Sequence, residues 1–128
     1  FLQPGSIVTG RVVLAKDNAA VIEPIKAEKK GVFQAIPSIT MAIPVSRIEQ
    51  SFVTSAKQKF KVGDIVIGLV EKVLPWGIDL TTEFPELGVI KAFCSQCRSP
   101  LQLNDRQLKC LQCNNIEYRK VSTHYFLK

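Results

Sequence analysis

The chain has 128 residues, 46% of them apolar and 22% charged, with a formal net charge of +6 and four cysteines. That balance is ordinary for a globular protein, and the length suits one domain of usual size or two small ones. No apolar run approaches the roughly 20 residues that a membrane-spanning helix needs and no signal peptide is visible, so reduced thiols, a cytoplasmic location and no membrane partner are expected.

Pro4-Gly5 precedes SIVTGRVVLA, whose β-branched residues predict a first strand. Lys16-Asp17-Asn18 is the turn, and AAVIEPI is a second strand expected to close at Pro24. Residues 26–41 follow neither helical nor strand period and contain Pro37, so they read as a long loop. MAIPVSRI is a third short strand, with Pro44 suited to an edge or a bulge. RIEQSFVTSAKQKF is expected to hold a short helix or helical turn. DIVIGLVEKV is the strongest strand pattern, turned by Pro75-Trp76-Gly77 into a fifth strand, IDLTT. No segment sustains a helical period, and five short strands separated by turns predict an all-β fold, a five-stranded OB-type barrel.

After the bridge EFPELG comes GVIKAF and then FCSQCRSPLQLNDRQLKCLQCNN. Cys94, Cys97, Cys110 and Cys113 form two C-x-x-C pairs separated by 12 residues. Each pair places two sulfurs on one tight turn, and two such turns together present four thiolates tetrahedrally, as Zn2+ prefers. The spacer is long enough for one hairpin turning at Asn104-Asp105, with IEYRKVST as a third strand, so the barrel is expected to be followed by a small zinc ribbon. One structural Zn2+ is the expected cofactor; iron in the same thiolate cage, or disulfide or redox use, are the alternatives. A cage closed by four thiolates has no open position for a substrate water, so the metal is not catalytic. The expected division is residues 1–86 for the barrel and residues 87–128 for the ribbon. A ribbon of this size cannot fold on its apolar core alone, and metal binding must contribute on the order of 10 kcal/mol.

The charge is uneven: residues 1–88 carry 10 Lys/Arg against 9 Asp/Glu, and residues 89–128 carry 7 against 2. The basic second part suits nucleic acid or an acidic protein partner. The sequence contains no phosphate-binding loop, zinc-protease helix motif, nucleophile elbow or paired catalytic carboxylates, so it is not expected to be an enzyme.

PGSIVTGRV, MAIPVSRI and KVGDIVIGLVEKV resemble an S1-type RNA-binding domain. With ELGVIKAFCSQCRSPL and KCLQCNN directly following, the whole chain resembles the cap subunit of the archaeal RNA exosome. The resemblance implies a non-catalytic subunit that sits on a ring of RNase PH-like subunits and guides single-stranded RNA to the central pore for 3'-5' degradation or processing. It also implies a primase-like exosome-associated protein as a partner for the ribbon, and an N-terminal domain preceding Phe1. S1-type domains stack bases on second-strand aromatics, with a His on the third strand and an Arg on the fifth. Here Asp17 and Ala20, Pro44 and Gly77 stand near those positions. The residues left for RNA are basic and aromatic groups on loops: Lys16, Lys26, Lys29, Lys30, Phe33, Arg47 and Trp76. The plain alternative is a solvated face for the lysines, and packing beneath a loop or turn for Phe33 and Trp76. Arg98, Arg119 and Lys120 flank the ribbon as candidates for RNA, an acidic partner or plain surface, and His124 reads as a surface residue. The competing functional readings are a docking subunit of a transcription complex and an acyl-coenzyme-A-binding scaffold.

Overall fold

The computed structural model describes residues 2–127. In chain order its strands are β1 (Ile7–Ala15), β2 (Ala19–Lys29), β3 (Val32–Gln34), β4 (Met41–Pro44), β5 (Ile65–Leu74), β6 (Gly77–Thr81) and β7 (Gly88–Lys91). A separate three-stranded sheet holds β8 (Leu101–Asn104), β9 (Gln107–Cys110) and β10 (Ile116–Glu117). The fold is all-β, and no described helix is long and apolar enough to cross a membrane.

Five strands close a ring in the order β1-β2-β4-β6-β5, with β5 returning to β1. The β4–β6 pair is parallel and the other four pairs are antiparallel, which is the OB-type closure. Val8 and Val12, Ala20 and Ile22, Met41 and Ile43, Val66 and Val70, and Ile78 and Leu80 lie an even number of residues apart on their strands and are buried together. Period-2 alternation sends these side chains inward and their neighbours outward. Ile48, Val53, Ala56 and Phe60, from the β4–β5 connection, join the same core. Full burial of one side chain such as Phe60 contributes about 1.5–3 kcal/mol.

The structure corrects several local expectations. β2 does not end at Pro24. The register slips between Thr9 and Gly10, so a bulge opposite Gly10 absorbs the proline, and the strand runs on to Lys29. A Cβ at Gly10 would collide with Ile22 and lie 2.8 Å from the Glu23 carbonyl oxygen, so only glycine lets the strands approach here. Residues 26–41 are not a plain loop: Lys30 and Gly31, at φ 53° and 78°, make a tight two-residue turn into β3. The third strand stops at Pro44 and continues as a 3-10 turn, Val45–Arg47. RIEQSFVTSAKQKF, by contrast, does hold the expected helical turn, the 3-10 turn Ala56–Gln58, capped by Ser55. The ribbon hairpin turns at residues 105–106, one residue later than expected, and the third ribbon strand shrinks to β10.

GVIKAF is more than a lead into the cysteines. Its β7 pairs with β5 at the edge of the barrel sheet, and Val89 bridges in parallel to Val121 from the chain after β10. Gly88, at φ 129°, sits so close to that returning segment that a Cβ would strike the Lys120 carbonyl oxygen. Leu101, Leu108, Cys94, Cys110 and Tyr125 continue the buried cluster of the barrel into the ribbon. The Tyr125 hydroxyl accepts from the Ala92 amide at 3.1 Å and donates to the Leu101 carbonyl at 2.6 Å, tying the hairpin to the end of β7.

Candidate metal centre and nucleic-acid interface

The two C-x-x-C turns have the same construction. In the first, Cys94 N–H donates to the Ser99 carbonyl at 2.8 Å and Arg98 N–H to the Cys94 carbonyl at 2.9 Å. In the second, Cys110 N–H donates to the Asn115 carbonyl at 2.8 Å and Asn114 N–H to the Cys110 carbonyl at 2.9 Å. The residue after the second cysteine takes positive φ in both, 65° at Arg98 and 62° at Asn114. β8 and β9 then carry one turn to the other, and all four Sγ atoms lie within 4.8 Å of one another.

Sγ–Sγ separations of 3.6 Å for Cys94–Cys113 and 3.3 Å for Cys97–Cys110 are far beyond the about 2.05 Å of a disulfide. They approach the edge of about 3.8 Å that four Zn–S bonds of about 2.3 Å generate in a tetrahedron. The thiols have divergent acidities. The Cys97 backbone amide, with the Gln96 amide and the Asn115 side chain, lowers Cys94 to about 6. Ser99 lowers Cys97. At Cys113 the Asn115 amide acts downward, but burial and the three neighbouring sulfurs prevail and push it up to about 12. Successive ionisation piles negative charge into one small volume, and only a cation relieves it. The donor set therefore fits a thiophilic metal ion.

An ionic chain runs from this cluster into the barrel. Glu117 Oε2 accepts the Ser95 N–H at 2.8 Å and the Asn115 side-chain amide at 2.8 Å. Its Oε1 lies 2.7 Å from Arg119 Nη2, and Arg119 Nε donates to Asp64 Oδ2 at 2.8 Å. Asp64 also accepts the Lys61 N–H at 2.9 Å, at the mouth of β5. The Arg119 and Asp64 side chains are 1% and 2% exposed. Burial pushes Asp64 up against the pull of Arg119. Burial also acts upward on Glu117, but the Ser95 amide and Arg119 outweigh it and hold the carboxyl below its usual value. Arg119 is thus a buried strut and not a surface ligand. Lys120 is likewise committed, donating to the Leu87 carbonyl at 2.7 Å and the Phe84 carbonyl at 3.1 Å. His124 is exposed, as expected.

The residues singled out for RNA divide between the two ends of the barrel. Lys16, in the β1–β2 turn, and Arg47, after β4, lie at the end where the β4–β5 connection and the ribbon sit. Arg47 is spoken for by Glu71 at 3.0 Å and Glu83 at 3.4 Å. Lys26, Lys29, Lys30, Phe33 and Trp76 lie toward the other end, where β2 turns into β3 and β5 into β6. Lys29 reaches back to the Pro4 carbonyl at 3.4 Å. Phe33 and Trp76 are 71% and 75% exposed, so neither packs beneath a loop. The second-strand position Ala20 is buried in the core and offers no stacking surface. Sequence reasoning missed the Asp64–Arg119–Glu117 chain; the only hint was the K-V-G-D turn, which sets an aspartate at the start of a strongly apolar strand.

No protein-family model matches the chain. It is 32% identical over 122 residues to the exosome complex component Csl4 of Archaeoglobus fulgidus. The alignment takes in 94% of this chain, which spans 65% of the length of that relative.

Proposed function

We propose that this chain, 32% identical over 122 residues to the exosome component Csl4, is the RNA-binding part of a non-catalytic exosome subunit. The observation that supports the reading is an alignment over 94% of the chain, long enough to run through barrel, junction and cysteine quartet. In this role the barrel of residues 1–86 and the ribbon of residues 87–128 cap a ring of RNase PH-like subunits in the cytoplasm. RNA is led toward the pore and the ring degrades it. A primase-like associated protein would meet the ribbon.

The metal in this reading is Zn2+, held by Cys94, Cys97, Cys110 and Cys113 in a closed structural site. It neutralises the sulfurs and fixes the two turns against each other. On the barrel, Lys26, Lys30, Phe33 and Trp76 offer phosphate and base contacts at one end, with Lys29 partly tied to the backbone. Lys16 and Arg47 contribute less, since they stand at the other end and Arg47 is ion-paired. Such contacts give weak, salt-dependent binding without sequence preference.

The test is affinity purification of the full gene product from its native cells. Recovery of RNase PH-like subunits is expected, and recovery of a polymerase core or a thiolase instead would overturn the proposal. Anisotropy with labelled oligonucleotides tests the barrel contacts: replacing Phe33 and Trp76 with Ala should weaken binding at least about fivefold.

A further inference from the structure

A second basic and aromatic cluster lies on the ribbon side of β7, drawn from three separate segments. Lys91 Nζ stands 5.4 Å from the ring centre of Phe93 and 5.0 Å from that of Phe126. The Arg98 guanidinium lies 6.0 Å from the Phe93 ring centre, on the same ring system. Phe126 is 49% exposed and is fixed by its N–H to the Ile90 carbonyl at 2.9 Å and by the buried Tyr125 ring 5.4 Å away.

Among the described residues, neither Lys91 nor Arg98 has a carboxylate within ion-pair distance. Of the acidic residues of the ribbon, Glu117 is committed to Arg119, and Asp105 sits at the tip of the β8–β9 hairpin. The backbone at Arg98 adds a second observation. Asn114 fills the equivalent left-handed position of the other turn with a residue type that tolerates it, whereas Arg98 is bulky there. Its guanidinium reaches the barrel, with Nη2 2.9 Å from where a Cβ on Gly63 would stand, beside exposed Lys61 and Val62.

We propose that this junction face is a contact for single-stranded RNA, with Lys91 and Arg98 on backbone phosphates and the open side of Phe126 beneath a base. Cations laid over ring faces keep outward N–H donors, and a positive surface with an exposed ring serves both parts of a nucleotide. An acidic protein would also use the charges, and the competition arm of the experiment below separates it from RNA. The inference rests on the RNA-binding reading above and adds a surface absent from the residues named there.

The experiment measures fluorescence anisotropy of an oligoadenylate of about 12 nucleotides with the metal-loaded full chain, across a salt series. Lys91→Gln with Arg98→Gln should weaken binding about tenfold or more. It should also reduce the magnitude of the salt slope by about 0.7 for each phosphate that is no longer neutralised. Phe126→Leu should weaken binding at least about fivefold with the slope unchanged. Ultraviolet crosslinking of the wild-type protein, which needs no substitution, should label peptides containing Phe93 or Phe126. If wild type binds while all these variants match it and crosslinks fall elsewhere, the face is wrong and the RNA-binding reading stands. If wild type binds no RNA, both fail. If Phe126→Leu is silent and polyglutamate displaces the oligonucleotide, an acidic protein is the occupant and the proposal is overturned.

Discussion

Replacing Arg119 with Ala tests the account of how ribbon and barrel are joined. The side chain is 1% exposed and meets Asp64 at 2.8 Å and Glu117 at 2.7 Å. Its removal leaves Asp64, 2% exposed, with only the Lys61 amide. Breaking a buried pair from one side costs about 3–5 kcal/mol, because the remaining charge stays desolvated. A domain of this size has about 6–19 kcal/mol in total, so the variant should fold but lose about 12–20 °C in melting temperature. Asp64→Asn with Arg119→Met removes both charges, keeps an acceptor for Lys61 and fills the space. It should recover at least about half of the loss, because only Glu117 then remains without its partner. Glu117 in turn holds the Ser95 amide between two cysteines. Arg119→Ala should therefore release metal to a competing chelator about 10- to 100-fold more readily. Thermal melts by circular dichroism and a colorimetric chelator measure the two effects. A loss under about 1 kcal/mol, or a double variant no better than the single one, would refute the reasoning.

Cys110→Ser should abolish metal binding and leave residues 101–117 exchanging freely in hydrogen–deuterium exchange, while the ring strands stay protected, because they close on one another without the ribbon. Loss of protection through β5 would show a single cooperative unit instead. Gly88→Ala places a methyl group against the Lys120 carbonyl at a φ of 129° and should cost about 2 kcal/mol in urea unfolding, whereas an unchanged midpoint would mean the returning segment shifts freely. Glu117, with its folded pKa depressed, contributes stability that is present above about pH 4.3 and is lost as pH falls through the folded value. A carboxyl-carbon NMR titration should place its midpoint below that of free glutamate, and a midpoint at or above it would contradict the hydrogen bonds from Ser95 and Arg119.

The parts legible in the sequence are those governed by local pattern. The β-branched runs of β1 and β5 span eight residues or more, and paired cysteines with two residues between them dictate turn geometry wherever they occur. Pro24 ordinarily ends a strand, and the exception in β2 depends on Gly10, which stands across the ladder and not beside it in the chain. β3 leaves little trace because it is short, largely exposed and entered through Lys30-Gly31, without the Asn-Gly or Asp-Gly pair that usually marks such a turn. Arg119 reads as surface because its partner Asp64 is 55 residues away, and no window contains both. Lys91, Phe93, Arg98 and Phe126 are drawn together in the same way, by β7 pairing with β5 and the C-terminal segment returning to Ile90.

The same connections decide what a metal ion held by the four cysteines would do for the rest of the molecule. β7 is held by β5 and by Val121, so Lys91 keeps its place as long as the barrel stands. Arg98 belongs to the first cysteine turn and owes its position to Cys94, the Ser99 loop and the space above Gly63. Phe126 lies between these cases, anchored to Ile90 but packed on Tyr125, whose hydroxyl holds the ribbon hairpin. Removing that ion would therefore release Arg98 first and loosen Phe126, while Lys91 keeps its place on β7. Phe33 and Trp76, at the far end of the barrel, are unaffected. A structural ion that touches no ligand would thus still set the strength of one of the two proposed RNA contacts and not the other. Chelation would lower affinity through the junction face while the contribution of Phe33 and Trp76 persists.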